Sequence, residues 1–255
     1  MKTLVISNFK GGVGKTATAV NLACVYASQG MRVLLVDLDP QASATDFFGL
    51  YDRARADKRT AVELLYTGAP VAQLAFETAT ENLSVIASCI ELVDQNEALL
   101  PEQGLRFALA DAAGDYDIAI IDCSPVMKRL AFCAYAAASG CGLVVLPVKL
   151  DATVMRGTAL AVETVRAVSG ALRLPVPAWR ILRTVVPGRS TVSEFTGEAI
   201  LNRFFPDKQF NTSIHASAKL PEASWSWMSV VDYAPKSRPA RDYATLAEEV
   251  LHEIG

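Results

Sequence analysis

The stretch SNFKGGVGKTAT, residues 7 to 18, leaves the chain few choices. An apolar run, TLVIS at 3–7, leads into it, and a helix-forming stretch at 16–29 leads out of it to a stop at Gly30. A strand, a glycine-rich turn and a helix in that order make backbone N–H groups converge on phosphate oxygens, with the helix N-terminus adding positive potential. Lys15 is spaced to reach the β- and γ-phosphates, and the Thr16 hydroxyl to ligate Mg²⁺. The strict pattern GxxxxGK[ST] is nevertheless broken, because Phe9 stands where its first glycine belongs. The loop also carries a second lysine, Lys10, beyond the one that a bound phosphate needs. A glycine turn alone is commonplace; the flanking strand, the helix and the two lysines make this one specific.

Further apolar runs recur as RVLLVD (32–37), LSVIA (83–87), DIAIID (117–122), GLVVLPV (142–148) and RILRTVV (180–186). They do not alternate with polar residues, which suits strands covered on both faces. Between them, 153–168 places Val154, Ala161, Val165 and Val168 at helical spacings. The closing ARDYATLAEEVLHEIG puts Tyr243, Leu246, Ala247, Val250, Leu251 and Ile254 on one helical side. Its other side carries Asp242, Glu248, Glu249 and Glu253, too acidic for a helix lying on a membrane. This alternation predicts an α/β fold, a doubly wound, mostly parallel sheet with helices on both faces, as a single domain over residues 1–255. Residues 50–82 read as a surface excursion from it.

Composition narrows the class further. With 51% hydrophobic and 20% charged residues the chain can bury a sizeable core. No run of 18 apolar residues occurs and the N-terminal apolar run is too short for a signal peptide, so a cytoplasmic protein is expected. Five cysteines, Cys24, Cys89, Cys123, Cys133 and Cys141, lack CxxC spacing and sit in apolar surroundings, which predicts buried thiols and no zinc site. His215 and His252 lie far apart and fit structural or surface roles. A net charge of −3 does not announce a nucleic-acid binder, so any DNA contact must come from a local patch.

Two strand ends carry carboxylates. In VLLVDLDPQASAT (33–45) alternation puts Asp37 and Asp39 on one side, and Pro40 turns the chain away at the sheet's carboxyl edge, where ligands of such folds bind. YDIAIIDCSP (116–125) matches a Walker B strand ending in Asp122, whose carboxylate would hold Mg²⁺ through water. A helix cap is the competing role for any one such aspartate. Their joint occurrence with the phosphate loop favours a site.

Read together, Lys10-Gly11-Gly12-Val13-Gly14-Lys15-Thr16 resembles the deviant Walker A motif of the ParA/MinD family of P-loop ATPases, whose signature is the first lysine. The overall pattern looks most like its small Soj-like and plasmid partition members. The resemblance implies ATP and Mg²⁺ as cofactors, with nucleotide held by residues 10–17, Lys10 to Ala17. It implies that Lys10 reaches across a two-fold interface to the nucleotide of the other subunit, so that charge stabilisation depends on dimerisation. It casts Lys10, Lys15 and Asp39 as catalytic and Thr16, Asp39 and Asp122 as metal-binding. Residues 37–41 resemble the family's DxDPQ motif at switch I, so Asp39 is expected to orient or activate the attacking water. Asp37 is open between supporting the phosphate loop and serving the metal's outer shell. Cys123-Ser124-Pro125 fits the family's switch II turn only loosely. RTVVPGRSTVS (183–193) falls where the family places the strand and loop beside the adenine, and residues 218–251 resemble its closing segment, so the likeness runs close to full length. With the loop beginning at residue 10, no room is expected for an N-terminal helix-turn-helix domain.

The same resemblance implies a homodimer when ATP-bound that binds DNA non-specifically, is nucleoid-associated in that state, and is released once a ParB-like centromere-binding or adaptor protein stimulates hydrolysis. Two weak basic patches would add in such a dimer. The candidate DNA contacts are Arg189, Lys219, Lys236, Arg238 and Arg241, each of which could equally be an ordinary solvated side chain. The family's RNVRLSEA stretch reads ASAKLPEA here, which removes a basic residue at Ala216. SWSWM (224–228) fits core or interface filling better than a base-stacking platform. The competing task is that of a MinD-like or cargo-positioning ATPase acting on a protein assembly or membrane. An iron–sulfur reductase would need cluster cysteines that Cys123 and Cys141 do not clearly match, and no membrane contact is expected.

Overall fold

Leu4 and Ile6 pack to one side of the first strand and Val5 to the other, and all three are fully buried. The same sorting repeats in its neighbours: Val33 and Leu35 against Leu34 and Val36, Ile118 and Ile120 against Ala119 and Ile121. A sheet with two such faces needs helices over both, which is why these strands read as unbroken apolar runs. Each fully buried Leu, Ile or Val contributes roughly 1.5–3 kcal/mol.

The computed structural model describes residues 1–93, 95, 99–126, 128–151, 154–189 and 191–255. The chain runs β1 (Lys2–Ile6), α1 (Lys15–Ser28), β2 (Val33–Leu38), α2 (Ser43–Phe47), α3 (Tyr51–Asp57), α4 (Val71–Leu74), β3 (Phe76–Glu77) and β4 (Leu83–Ile86). It continues through α5 (Gly104–Asp111), β5 (Ile118–Cys123), α6 (Lys128–Ala138), β6 (Gly142–Val148), α7 (Val154–Leu172), β7 (Ala178–Val186) and α8 (Val192–Phe204). It closes with β8 (Gln209–His215), α9 (Lys219–Trp225), α10 (Val230–Tyr233) and α11 (Arg238–Glu253). The strands form one sheet ordered β3-β4-β2-β5-β1-β6-β7-β8, parallel except where β3 meets β4. The expected doubly wound sheet is therefore present. Strand order reverses around β1, so the loop after β1 opens between the carboxyl ends of β5 and β6, the switch point where such sheets bind ligands.

One face is covered by α1, α10 and α11, the other by α5, α6 and α7. Helix α11 buries Tyr243, Leu246, Ala247 and Val250, as its periodicity predicts. Ser237 caps it by accepting from Ala240 N, an arrangement worth about 1 kcal/mol. Its acidic side is less idle than expected: Glu249 accepts from Asn211 N and Thr212 N of β8, and Glu253 pairs with Arg180 of β7. No helix among the described residues is long and apolar enough to cross a membrane.

Several expectations need correction. Residues 50–82 are not a surface excursion, since they fold into α3, α4 and β3 and bury Ala54, Leu64, Leu65, Val71, Leu74 and Phe76. Strands β3 and β8 have no counterpart among the apolar runs of the sequence. The tryptophans of SWSWM do not fill the core: Trp225 is 86% and Trp227 62% exposed. Cys141 is exposed, whereas the other four cysteines are buried as expected. Residue 153, the predicted start of α7, and residue 190 of the 183–193 stretch lie outside the described residues.

Candidate active site

The phosphate loop is shaped by two glycines and held by two polar side chains from outside the motif. Gly12 and Gly14 have φ of 70° and 80°, the left-handed region that a Cβ disfavours. Gly14 is also the N-cap of α1, and with no side-chain cap and no acid in the first turn, the first amides of that helix are left for an anion. Asn8 accepts from Lys10 N at 3.0 Å and donates through Nδ2 to the Pro147 carbonyl at 2.8 Å, tying the loop to β6. The Thr184 hydroxyl lies 2.9 Å from the Val13 carbonyl and 3.1 Å from that of Val148, tying it to β7. Asn8 and Thr184 lie in stretches the sequence singles out, but only the strand order shows that their side chains brace the loop.

The two lysines part company. Lys15 is buried and donates from Nζ to the Lys10 carbonyl at 2.9 Å. Burial lowers its pKa, opposed by the charges of Asp122 and Asp39. Lys10 instead forms an ion pair with Asp151 of its own chain, just beyond β6. Nothing in the sequence marks Asp151 as its partner.

Asp37 and Asp122 sit opposite each other in the β2–β5 register, and both are essentially inaccessible. Asp37 accepts from Asp39 N (3.0 Å), Thr45 N (2.9 Å) and Thr45 Oγ1 (2.7 Å), so it fastens the turn after β2 to the first residues of α2. These bonds run to the turn and to α2, a third role beside the two expected for it, phosphate-loop support and the metal's outer shell. Burial still lifts its pKa to about 6 against these bonds. Asp122 has no well-formed hydrogen bond to either buried oxygen. Burial raises its pKa well above the carboxylate range, Asp37 adds to the shift, and the Thr16 hydroxyl opposes it. Asp39 lies just past the ladder, nearly buried, with Oδ1 accepting from Gln41 N at 3.0 Å.

An unsatisfied buried carboxylate beside a threonine hydroxyl at a phosphate cradle suits Mg²⁺, a hard cation that takes few protein oxygens and completes its shell with phosphate and water. Among the described residues no three His, Cys, Asp or Glu side chains form a cage that would hold a metal without the nucleotide. Asp122 and Thr16 are the residues that fit the role.

The basic candidates gather differently. Val186 of β7 pairs with His215 of β8, so the loop bearing Arg189 and the helix α9 that starts at Lys219 leave the same sheet edge. His215 accepts from Arg238 at Nε2 (2.7 Å), which requires its Nδ1–H to face Asp242 (2.9 Å) and brings the start of α11 to that edge. His215 is thus structural, as expected. Lys219 is engaged by Glu222 at 2.6 Å, while Arg189, Lys236 and Arg241 are exposed.

Residues 1–175 match a protein family described as an AAA domain. The chain is 35% identical over 254 residues to the sporulation initiation inhibitor protein Soj of Bacillus subtilis, covering 98% of each chain. It is 34% identical over 259 residues to the chromosome-partitioning ATPase Soj of Thermus thermophilus, covering 100% of this chain and 97% of that one. Its fold superposes on apo McdA of Cyanothece with a TM-score of 0.84 at 22% identity, covering 100% of each chain. The loop with two lysines, the sheet around it and these full-length similarities place the chain in the ParA/MinD family of P-loop ATPases.

Proposed function

We propose that this chain is a ParA-type partition ATPase, which pairs as a sandwich dimer on Mg-ATP, binds DNA without sequence preference, and lets go when a ParB-like partner stimulates hydrolysis. The observation that carries the proposal is the separation of the two loop lysines. Lys15 stays folded into its own cradle, whereas Lys10 is held at the rim by Asp151. A cation at the rim is placed to exchange its intramolecular carboxylate for a triphosphate brought by a second copy.

In the proposed reaction, water attacks the terminal phosphorus in line and the bond to the β–γ bridging oxygen breaks. The α1 amides and Lys15 neutralise charge that grows on the phosphate oxygens, and Lys10 of the second copy adds a cation to the same triphosphate. Mg²⁺, when bound, supplies Lewis-acid polarisation of the phosphoryl oxygens. Asp122 and Thr16 hold it, and Asp39 orients the water. DNA contact falls to Arg189, Lys219, Lys236, Arg238 and Arg241. Because Lys219 and Arg238 already have partners, a single copy should bind weakly and the affinity should come from two patches acting together.

Co-sedimentation with random-sequence duplex DNA in ATP, ADP and no nucleotide tests the proposal. Binding should appear only with ATP and fall steeply with salt. Binding that ignores nucleotide or salt, or none at all, overturns it. Asp39→Ala should keep ATP-dependent dimers and stop phosphate release.

A further inference from the structure

The exposed tryptophans belong to a surface that the nucleotide reaction leaves unused. An open groove of about 620 Å³ lies between α2–α3 and the α9–α10 turn. Its walls are Phe47, Phe48, Tyr51, Trp227 and Met228, and Phe47 and Phe48 meet edge to face at 5.0 Å, which fixes their shape. Trp227 is held at φ 53°, a conformation a bulky aromatic adopts only when its surroundings impose it. A side chain kept there while more than half exposed is an unfilled contact surface rather than a packing element.

The groove is also one-signed. Asp46, Asp52 and Asp232 line it, and among the described residues no lysine or arginine does. Nearby cations have partners: Arg53 pairs with Asp57, Arg55 with Glu91 while lying 5.5 Å over the Tyr51 ring, and Lys219 with Glu222. Aromatic faces next to carboxylates attract organic cations, through the ring quadrupole and through charge. They repel a phosphate backbone, which argues against a base-stacking role for Trp227.

We infer that this groove docks a peptide segment of a protein partner in which arginine or lysine alternates with large apolar residues. That the segment belongs to the partner that stimulates hydrolysis rests on the partition reading. The location suits such a partner. One wall is α2, whose Thr45 is bonded to Asp37 of β2, next to the turn carrying Asp39, and the other wall includes α10, whose Val230 N donates to Asn21 of α1 at 2.7 Å. A segment seated there touches both elements that lead from the phosphate loop and from the carboxylate proposed to orient water.

The test uses the full chain and a short fluorescein-labelled peptide alternating arginine with leucine, read by anisotropy with and without Mg-ATP. Trp227→Ala and Asp52→Asn should each weaken binding by about tenfold, with thermal unfolding unchanged because both side chains are exposed. Replacing leucine by glycine in the peptide should abolish it. Wild-type affinity in either variant, equal binding of the glycine peptide, or displacement by oligothymidylate overturns the inference. So does a loss of ATP-dependent dimers in Trp227→Ala, which would make the groove a contact between copies. If ATP-dependent DNA sedimentation fails while the peptide still binds in a Trp227-dependent way, the partition reading falls and the docking site stands.

Discussion

The carboxyl ends of β2 and β5 set two aspartates side by side, at 0% and 1% exposure, and treat them in opposite ways. Asp37 is met by three donors, two of them from Thr45, and its chemistry is finished inside the chain. Asp122 has no well-formed hydrogen bond, although leaving a buried acceptor unpaired costs about 1–3 kcal/mol, and more for a charge. Burial therefore does not distinguish an acid used inside the chain from one proposed to hold the metal. What distinguishes them is whether the protein itself completes the hydrogen bonds, and the incomplete acid is the one facing the phosphate loop.

Substitution should pull the two apart. Asp122→Asn should lower Mg²⁺-dependent phosphate release by about 100-fold or more while the apo melting temperature holds or rises, because the amide loses no well-formed hydrogen bond that Asp122 makes. A destabilised apo protein would show that Asp122 has a structural partner after all. Asp37→Asn should do the reverse, lowering unfolding free energy in urea by about 2 kcal/mol as an amide N–H₂ is turned on the Thr45 donors. Unchanged stability would mean that the turn after β2 is held by something else.

The pair also predicts how the apo protein responds to pH. Both carboxyls titrate higher in the folded chain than the ordinary value of 3.8, Asp37 at about 6. Between those values the folded state binds protons that the unfolded state has released, so stability is fully present at low pH and declines as pH rises through 6. Urea unfolding from about pH 5 to pH 8 should show that decline at on the order of 1 kcal/mol or more, shallower in Asp122→Asn. A rise over that range would place the protons elsewhere. The smallest effect is expected at the rim, where Asp151→Asn removes the partner of a partly exposed lysine and should change unfolding free energy by less than about 1 kcal/mol.

Much of this was legible in the chain. The strand, glycine loop and helix at 3–29 specify one another, and strands with both faces buried announce themselves as unbroken apolar runs. Strand β8, QFNTSIH, was not legible, because an edge strand with polar residues on its open side has no such run. Residues 50–82 misled because their apolar residues are shared among short elements, none long enough to show a period. Sequence alternation put Asp37 and Asp39 together, but not that Thr45, eight residues on, would satisfy the first and leave the second near the cradle. Asp151 carried no signal, since a loop aspartate finds Lys10 only when β6 lies next to β1. The exposure of Trp227 ran against its composition. Apolar side chains are sorted to core or surface by what covers them, and nothing among the described residues covers that turn.

The measurement that bears most directly on the contrast is proton release on Mg-ATP binding, obtained by titration calorimetry in buffers of different ionisation enthalpy. If Asp122 is kept protonated in the empty site and loses its proton to solvent when the cation arrives, the wild-type chain should release more protons than Asp122→Asn, and Asp37→Asn should behave like the wild type. Equal release from the wild type and Asp122→Asn would contradict the account.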